Sequence, residues 1–141
     1  MKVMGFNFNK VSIEKISDKV ENLEVKTNID ISEIKEVKSE APGMKGDFIG
    51  AKFNFDILYE PNFAKINILG TVLFAVKPEI AKDILEKWKD KKMPEDFRFL
   101  LFNIILRKAS LKALQLEEDM NLPLHVAMPS LKKQESQEEN K

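Results

Sequence analysis

Residues 23–32 constrain the fold more than any other stretch, because Leu23, Val25, Thr27, Ile29 and Ile31 alternate strictly with Glu24, Lys26, Asn28, Asp30 and Ser32. An apolar residue at every second position keeps to one side of an extended chain and to no consistent side of a helix, so this stretch predicts a β-strand with one wet face. Phe53, Phe55, Ile57 and Tyr59 repeat the pattern against Lys52, Asn54, Asp56 and Glu60, and Pro61-Asn62 supplies a turn into a partner strand over residues 63–76. On that partner Ala64, Ile66, Ile68, Val72, Phe74 and Val76 share a face, while Leu69, Leu73 and Ala75 join from the other, which predicts a second half covered on both sides. An opening strand is less regular. Met4, Phe6 and Phe8 are even-numbered and Val11 and Ile13 odd-numbered, a change of parity near Asn9-Lys10 that a β-bulge explains. Residues 38–50 hold Ala41-Pro42-Gly43 and two further glycines without a sustained period, and read as a mobile loop.

The period then changes. Pro78 suits the first turn of a helix, and Ile80, Ala81, Ile84, Leu85 and Trp88 follow at spacings of three and four, predicting a short amphipathic helix over 78–91 with a basic run at its C-terminal end. Pro94-Glu95-Asp96 opens a second helix, expected to reach about Asp119. In its first half Phe97, Phe99, Leu100, Leu101, Phe102, Ile104, Ile105 and Leu106 leave little polar circumference, and Phe102, Leu106, Ala109, Ala113 and Leu116 continue as one stripe. One sheet covers one face of a helix, and the remaining apolar surface predicts self-association, assigned to Phe97, Leu101, Phe102 and Ile105. The expected fold class is α+β: a long four-stranded antiparallel sheet, then a short and a long helix packed on one face. Residues 1–131 form one domain, and 132–141, wholly polar, are expected to be disordered.

Most chemistries are disfavoured by what the chain lacks. Twenty-three basic residues balance 23 acidic ones, so no overall field draws nucleic acid or an acidic membrane, and the absence of cysteine removes disulfides, thiolate metal sites and thiol nucleophiles. That absence also suits a reducing compartment, and the cytoplasm is the expected location. The start of the chain alternates instead of running apolar, unlike a signal peptide, and the longest apolar stretch, 97–106, is far short of a membrane span. A single histidine, His125, rules out a multi-histidine metal site within one chain, and reads as an ordinary surface or packing residue. The carboxylates lie on wet strand faces (Asp30, Asp56) or at helix ends (Glu95, Asp96, Glu117, Glu118, Asp119), where solvated charge is their plain reading. Gly43, Gly46 and Gly50 lack phosphate-loop spacing. No enzyme, metal or cofactor is expected. Ten phenylalanines and six methionines stand out; they make either an aromatic core or, in part, an open apolar groove for segments of other proteins.

Four local runs carry a likeness to a known family: Phe8-Asn9-Lys10-Val11-Ser12-Ile13-Glu14, Val25-Lys26-Thr27-Asn28-Ile29-Asp30, Gly70-Thr71-Val72-Leu73-Phe74 and Asn121-Leu122-Pro123-Leu124. With the order of elements over residues 3–128, the chain resembles the SecB export chaperones. That resemblance implies a tetramer built as a dimer of dimers, and ATP-independent holding of unfolded polypeptides or preproteins in apolar surface grooves. Carried over by position, it points to Ile66 and Ile68 in the fourth strand and to Leu122, Leu124 and Met128 after the long helix as polypeptide-binding residues, although Ile66 and Ile68 serve equally well to close the core. The chain departs from the family in offering only Ser130-Leu131 where a second groove-lining helix is expected, and no residues match those that hand substrates to the SecA motor. A dedicated chaperone of one partner, such as an antitoxin, and a carrier of small apolar ligands remain alternatives; the carrier needs an enclosed cavity.

Overall fold

The alternating segments form four strands, β1 (Lys2–Lys15), β2 (Glu24–Val37), β3 (Asp47–Glu60) and β4 (Ala64–Val76), and the helical periods form α1 (Pro78–Trp88) and α2 (Glu95–Asp119). This is a computed structural model, and it describes residues 1–19, 21–38, 47–131 and 133. The strands make one antiparallel sheet in the order β1-β4-β3-β2. The most apolar strands take the centre, where both neighbours are strands, and the more exposed β1 and β2 take the edges.

Register follows the pattern of side chains. Tyr59 pairs with Ala64 across the Pro61-Asn62 turn, where Asn62 is left-handed (φ 45), and Phe55 pairs with Ile68 further along. The bulge expected near Asn9-Lys10 lies between Phe8 and Lys10; it brings Val11 opposite Ile68 and Ile13 opposite Ile66 on the inner face. Two more bulges, at Val3/Gly5 and Ile31/Glu33, have no counterpart in the expectations. The second of them moves Ile34 inward, opposite Ala51. Gly70 lies opposite Phe53, and a Cβ there would come within 2.4 Å of the Phe53 ring. The missing side chain lets that ring cross β4 to meet Phe6, 5.4 Å away between centroids.

The inner face buries Ile49, Ala51, Phe53, Phe55, Ile57 and Tyr59 of β3 with Ala64, Ile66, Ile68, Val72 and Phe74 of β4. α1 adds Ala81 and Ile84 to the same cluster, and α2 lies along the β3–β4 pair, from Phe97 against Phe74 (5.1 Å between rings) to Glu117 against Tyr59. Its length suits that path, since 25 residues of helix span about 37 Å and the 13 residues of β4 about 43 Å. Each of the large side chains so buried contributes on the order of 2 kcal/mol.

Several expectations need correction. The buried line of α2 is Phe97, Leu101, Ile105, Ala109, Ala113 and Glu117, not the stripe through Phe102, Leu106 and Leu116. Its strict spacing of four overshoots a helical turn by about 40° per step, so the line winds round the helix as the sheet beneath it twists. Leu69, Leu73 and Ala75 are half-buried rather than covered, because both helices lie on the other face. Asp47–Gly50, expected in a loop, opens β3, with Phe48 and Ile49 buried. α1 ends at Trp88 as a turn with left-handed Lys91 (φ 59) begins, while α2 ends at Asp119 as expected. Residues 39–46 of the loop and, apart from Lys133, the charged end at 132–141 lie outside the described residues.

Candidate functional site

The five residues expected to bind polypeptide separate into two groups. Ile66 and Ile68 have 0% exposure beneath α2, and Leu122 is also buried, so in this conformation all three close the core and none borders an open groove. Leu124 (37% exposed) and Met128 (55%) stay outside, and meet Leu114, Gln115, Glu118 and Asp119 of the last turns of α2 in an open cleft of about 400 Å³. Of the expected self-association residues, Phe97, Leu101 and Ile105 are buried against the chain's own sheet, and Phe102 is half-buried. The exposed apolar residues of α2 are Phe99, Leu106 and Leu111.

The extended segment after α2 forms one wall of that cleft and is fixed by polar bonds. Leu122 N–H donates to the Glu117 carbonyl oxygen (2.8 Å) as the helix ends, with Asn121 left-handed (φ 55). The Glu117 side chain has 0% exposure among Tyr59, Pro123 and His125. His125 N–H donates to its Oε2 (3.1 Å), and His125 Nδ1 lies 2.8 Å from its Oε1. Tyr59 Oη is hydrogen-bonded to Glu117 Oε2 and lies 2.8 Å from the Pro123 carbonyl oxygen. Burial first, and the bond to Glu117 second, hold the Tyr59 phenol well above its ordinary pKa, so it keeps its proton.

Sequence reasoning missed this cluster. Glu117 was grouped with Glu118 and Asp119 as solvated helix-end charge, yet it alone occupies the inward line, four residues past Ala113. That spacing was the available signal; it took the single tyrosine and the single histidine in space to give the carboxyl its partners. His125, read as an ordinary surface or packing residue, has a buried side chain packed edge-on against Phe55, and its Nε2 has no hydrogen-bond partner.

A second cleft, about 540 Å³, runs along edge strand β2 and is lined by Ile29, Asp30, Ile31 and Ser32 with Trp88, Lys91, Met93 and Phe102. Its floor and one wall are packed elements, and Lys91 Nζ caps the Trp88 ring at 4.5 Å. β2 ends the sheet, so the backbone groups on its outer side have no strand partner among the described residues. The outer face of the sheet is polar at its centre, where Asn67 Nδ2 donates to Asn54 Oδ1 and Asp56 Oδ1, each at 2.6 Å. No helix among the described residues is long and apolar enough to cross a membrane.

No family model matches the chain, and no curated protein matches it in sequence. A solved structure of the Mycobacterium tuberculosis Rv1957 SecB-like chaperone, in complex with a ChAD peptide from the Rv1956 HigA1 antitoxin, is similar in architecture: the TM-score is 0.52 at 11% identity, over 94% of this chain and 91% of that one. The chain therefore has a SecB-like fold, as the order of its strands and helices implied.

Proposed function

We propose that this chain is an ATP-independent chaperone that holds non-native polypeptide segments in its apolar clefts, with no cofactor. One observation carries the reading: both clefts are open, one mixing Ile29, Ile31, Trp88, Met93 and Phe102 with polar groups beside a strand edge that has no partner among the described residues, the other mostly apolar and bounded by Leu124 and Met128. An extended segment laid along β2 gains backbone hydrogen bonds whatever its sequence, and the pockets beside the strand select only for apolar side chains. Open clefts do not suit a carrier of small apolar ligands, which needs to enclose its cargo.

Self-association belongs to the same reading. Phe99, Leu106 and Leu111 are exposed on one long helix and Phe102 is half-buried beside them, an apolar surface that a second copy would cover. We infer a tetramer in the cytoplasm, with unfolded chains or preproteins as clients. A dedicated role has its own support, because the solved structure of similar architecture holds a peptide from an antitoxin.

The test is suppression of aggregation of several unrelated unfolding proteins without nucleotide, with the mass of the same preparation measured by light scattering. A tetramer that protects several clients supports general holding. Protection of one client alone supports the dedicated role, and a monomer that protects none overturns the chaperone reading.

A further inference from the structure

The polar cluster at the end of α2 carries an inference about how the smaller cleft is built. Buried polar groups at a helix–sheet contact cost stability unless every one is paired, and apolar side chains of equal volume would close the same core at less risk. Here the pairing runs from the sheet (Tyr59) through the helix (Glu117) to the segment that leaves it (Pro123 and His125). Beyond His125 the described chain, Val126 to Leu131, is exposed. The segment bearing Leu124 and Met128 therefore depends for its position on buried Leu122 and on this cluster.

We propose that Tyr59, Glu117 and His125 form a clasp that fixes the strap of residues 122–128 against α2, and that they act as positioning residues for polypeptide binding by holding Leu124 and Met128 as a wall of the cleft. The proposal rests on the polypeptide-binding reading. The proton inventory of the clasp is definite on one side. Oε1 of Glu117 offers only lone pairs to His125, so the Nδ1 that faces it carries a proton. Tyr59 has one proton for two acceptors, Glu117 Oε2 and the Pro123 carbonyl. The phenol shares that proton between the carboxyl oxygen and the carbonyl, so one strand residue ties both the helix and the strap.

That inventory predicts a contrast between two substitutions of one residue. In Glu117→Gln the amide oxygen, at the Oε1 position, accepts from His125 Nδ1 and from the His125 N–H that lies 3.3 Å from it, while the amide nitrogen donates to Tyr59 and the phenol donates to Pro123, so the clasp stays shut. In Glu117→Leu volume is kept and every polar bond is lost. His125→Ala, made on the strap itself, removes the Nδ1 bond and the ring's contact with Phe55 while leaving every side chain of sheet and helix in place, and serves if the leucine variant fails to fold. Amide hydrogen exchange at residue 125, the strap N–H that donates to Glu117, reads strap closure, and affinity for reduced, carboxymethylated lactalbumin, a chain that cannot refold, reads binding.

Glu117→Leu and His125→Ala should raise strap exchange by about a hundredfold while core amides stay protected, and weaken lactalbumin binding by about tenfold; Glu117→Gln should match the parent in both. Nitrogen-15 spectra of the one histidine should show the Nδ1–H form. The clasp is overturned if strap exchange in both opened variants equals that of the parent, or if the histidine carries its proton on Nε2. Its role in binding is overturned if the strap opens and affinity does not change. A parent protein that does not bind lactalbumin overturns the polypeptide-binding reading instead, and exchange still decides whether the clasp holds the strap.

Discussion

The two clefts differ in what holds their walls. Along β2 the walls are a strand, the end of α1 and Phe102 of α2, each fixed by packing into the common core. At the far end of α2 one wall is a strap that packs through Leu122 and the His125 ring and is tied down by directed bonds to one buried carboxyl group. Packing of apolar side chains is tolerant of small changes, whereas a polar cluster is either satisfied or costly. The first cleft should therefore erode gradually under mutation, and the second should open in a single step.

Substitutions graded by size test that contrast. Glu117→Ala should cost the most, about 3 kcal/mol in urea unfolding, because it strands the His125 and Tyr59 donors in a buried site. A loss below that of any single β2-cleft substitution would reverse the comparison. Trp88→Ala should cost about 2 kcal/mol, since the ring is only half-buried, and should leave strap exchange unchanged.

Tyr59→Phe should cost about 1 kcal/mol near neutral pH, and its effect should shrink in alkali. The folded state holds the phenol proton more tightly than the unfolded chain, so the contribution of the phenol is complete below the ordinary tyrosine pKa. It is lost as pH rises above about 10, where the unfolded chain gives up its proton. The gap between parent and variant should therefore narrow from pH 8 to pH 11; a widening gap would contradict the buried phenol. Met128→Ser should change stability by less than about 0.5 kcal/mol, as expected of an exposed side chain, yet weaken client binding.

The same distinction explains what could be read from the residues. β2, the β3–β4 hairpin and the bulge at Phe8/Lys10 rest on alternation, which depends on neighbours a few residues away, and all were legible. The ends of α2 were legible from Pro94 and Asn121, whose backbone preferences are local. The buried line of α2 was not, because its first half is apolar on every side and the choice of inward line is made by the sheet. Of the proposed binding residues, Leu124 and Met128 came to a cleft and Ile66 and Ile68 to the core; alternation says that two strand residues share a face, but not whether a helix lies on it. Glu117 lay hidden in a run of three acids, since its partners are 58 residues before it and 8 after.

The bulges have one more consequence. A protein that offers a free strand edge to unfolded chains risks seeding its own fibrils, because a flat edge recruits any strand, including that of a sister molecule. Both edges here are irregular: β1 is broken at Val3/Gly5 and Phe8/Lys10, and β2 at Ile31/Glu33, at the end of the run that lines its cleft. Each break twists the edge and limits how long a guest strand can stay in register. A short segment of the kind proposed as client would still fit along β2, while an endless stack of like sheets has no straight template to grow on.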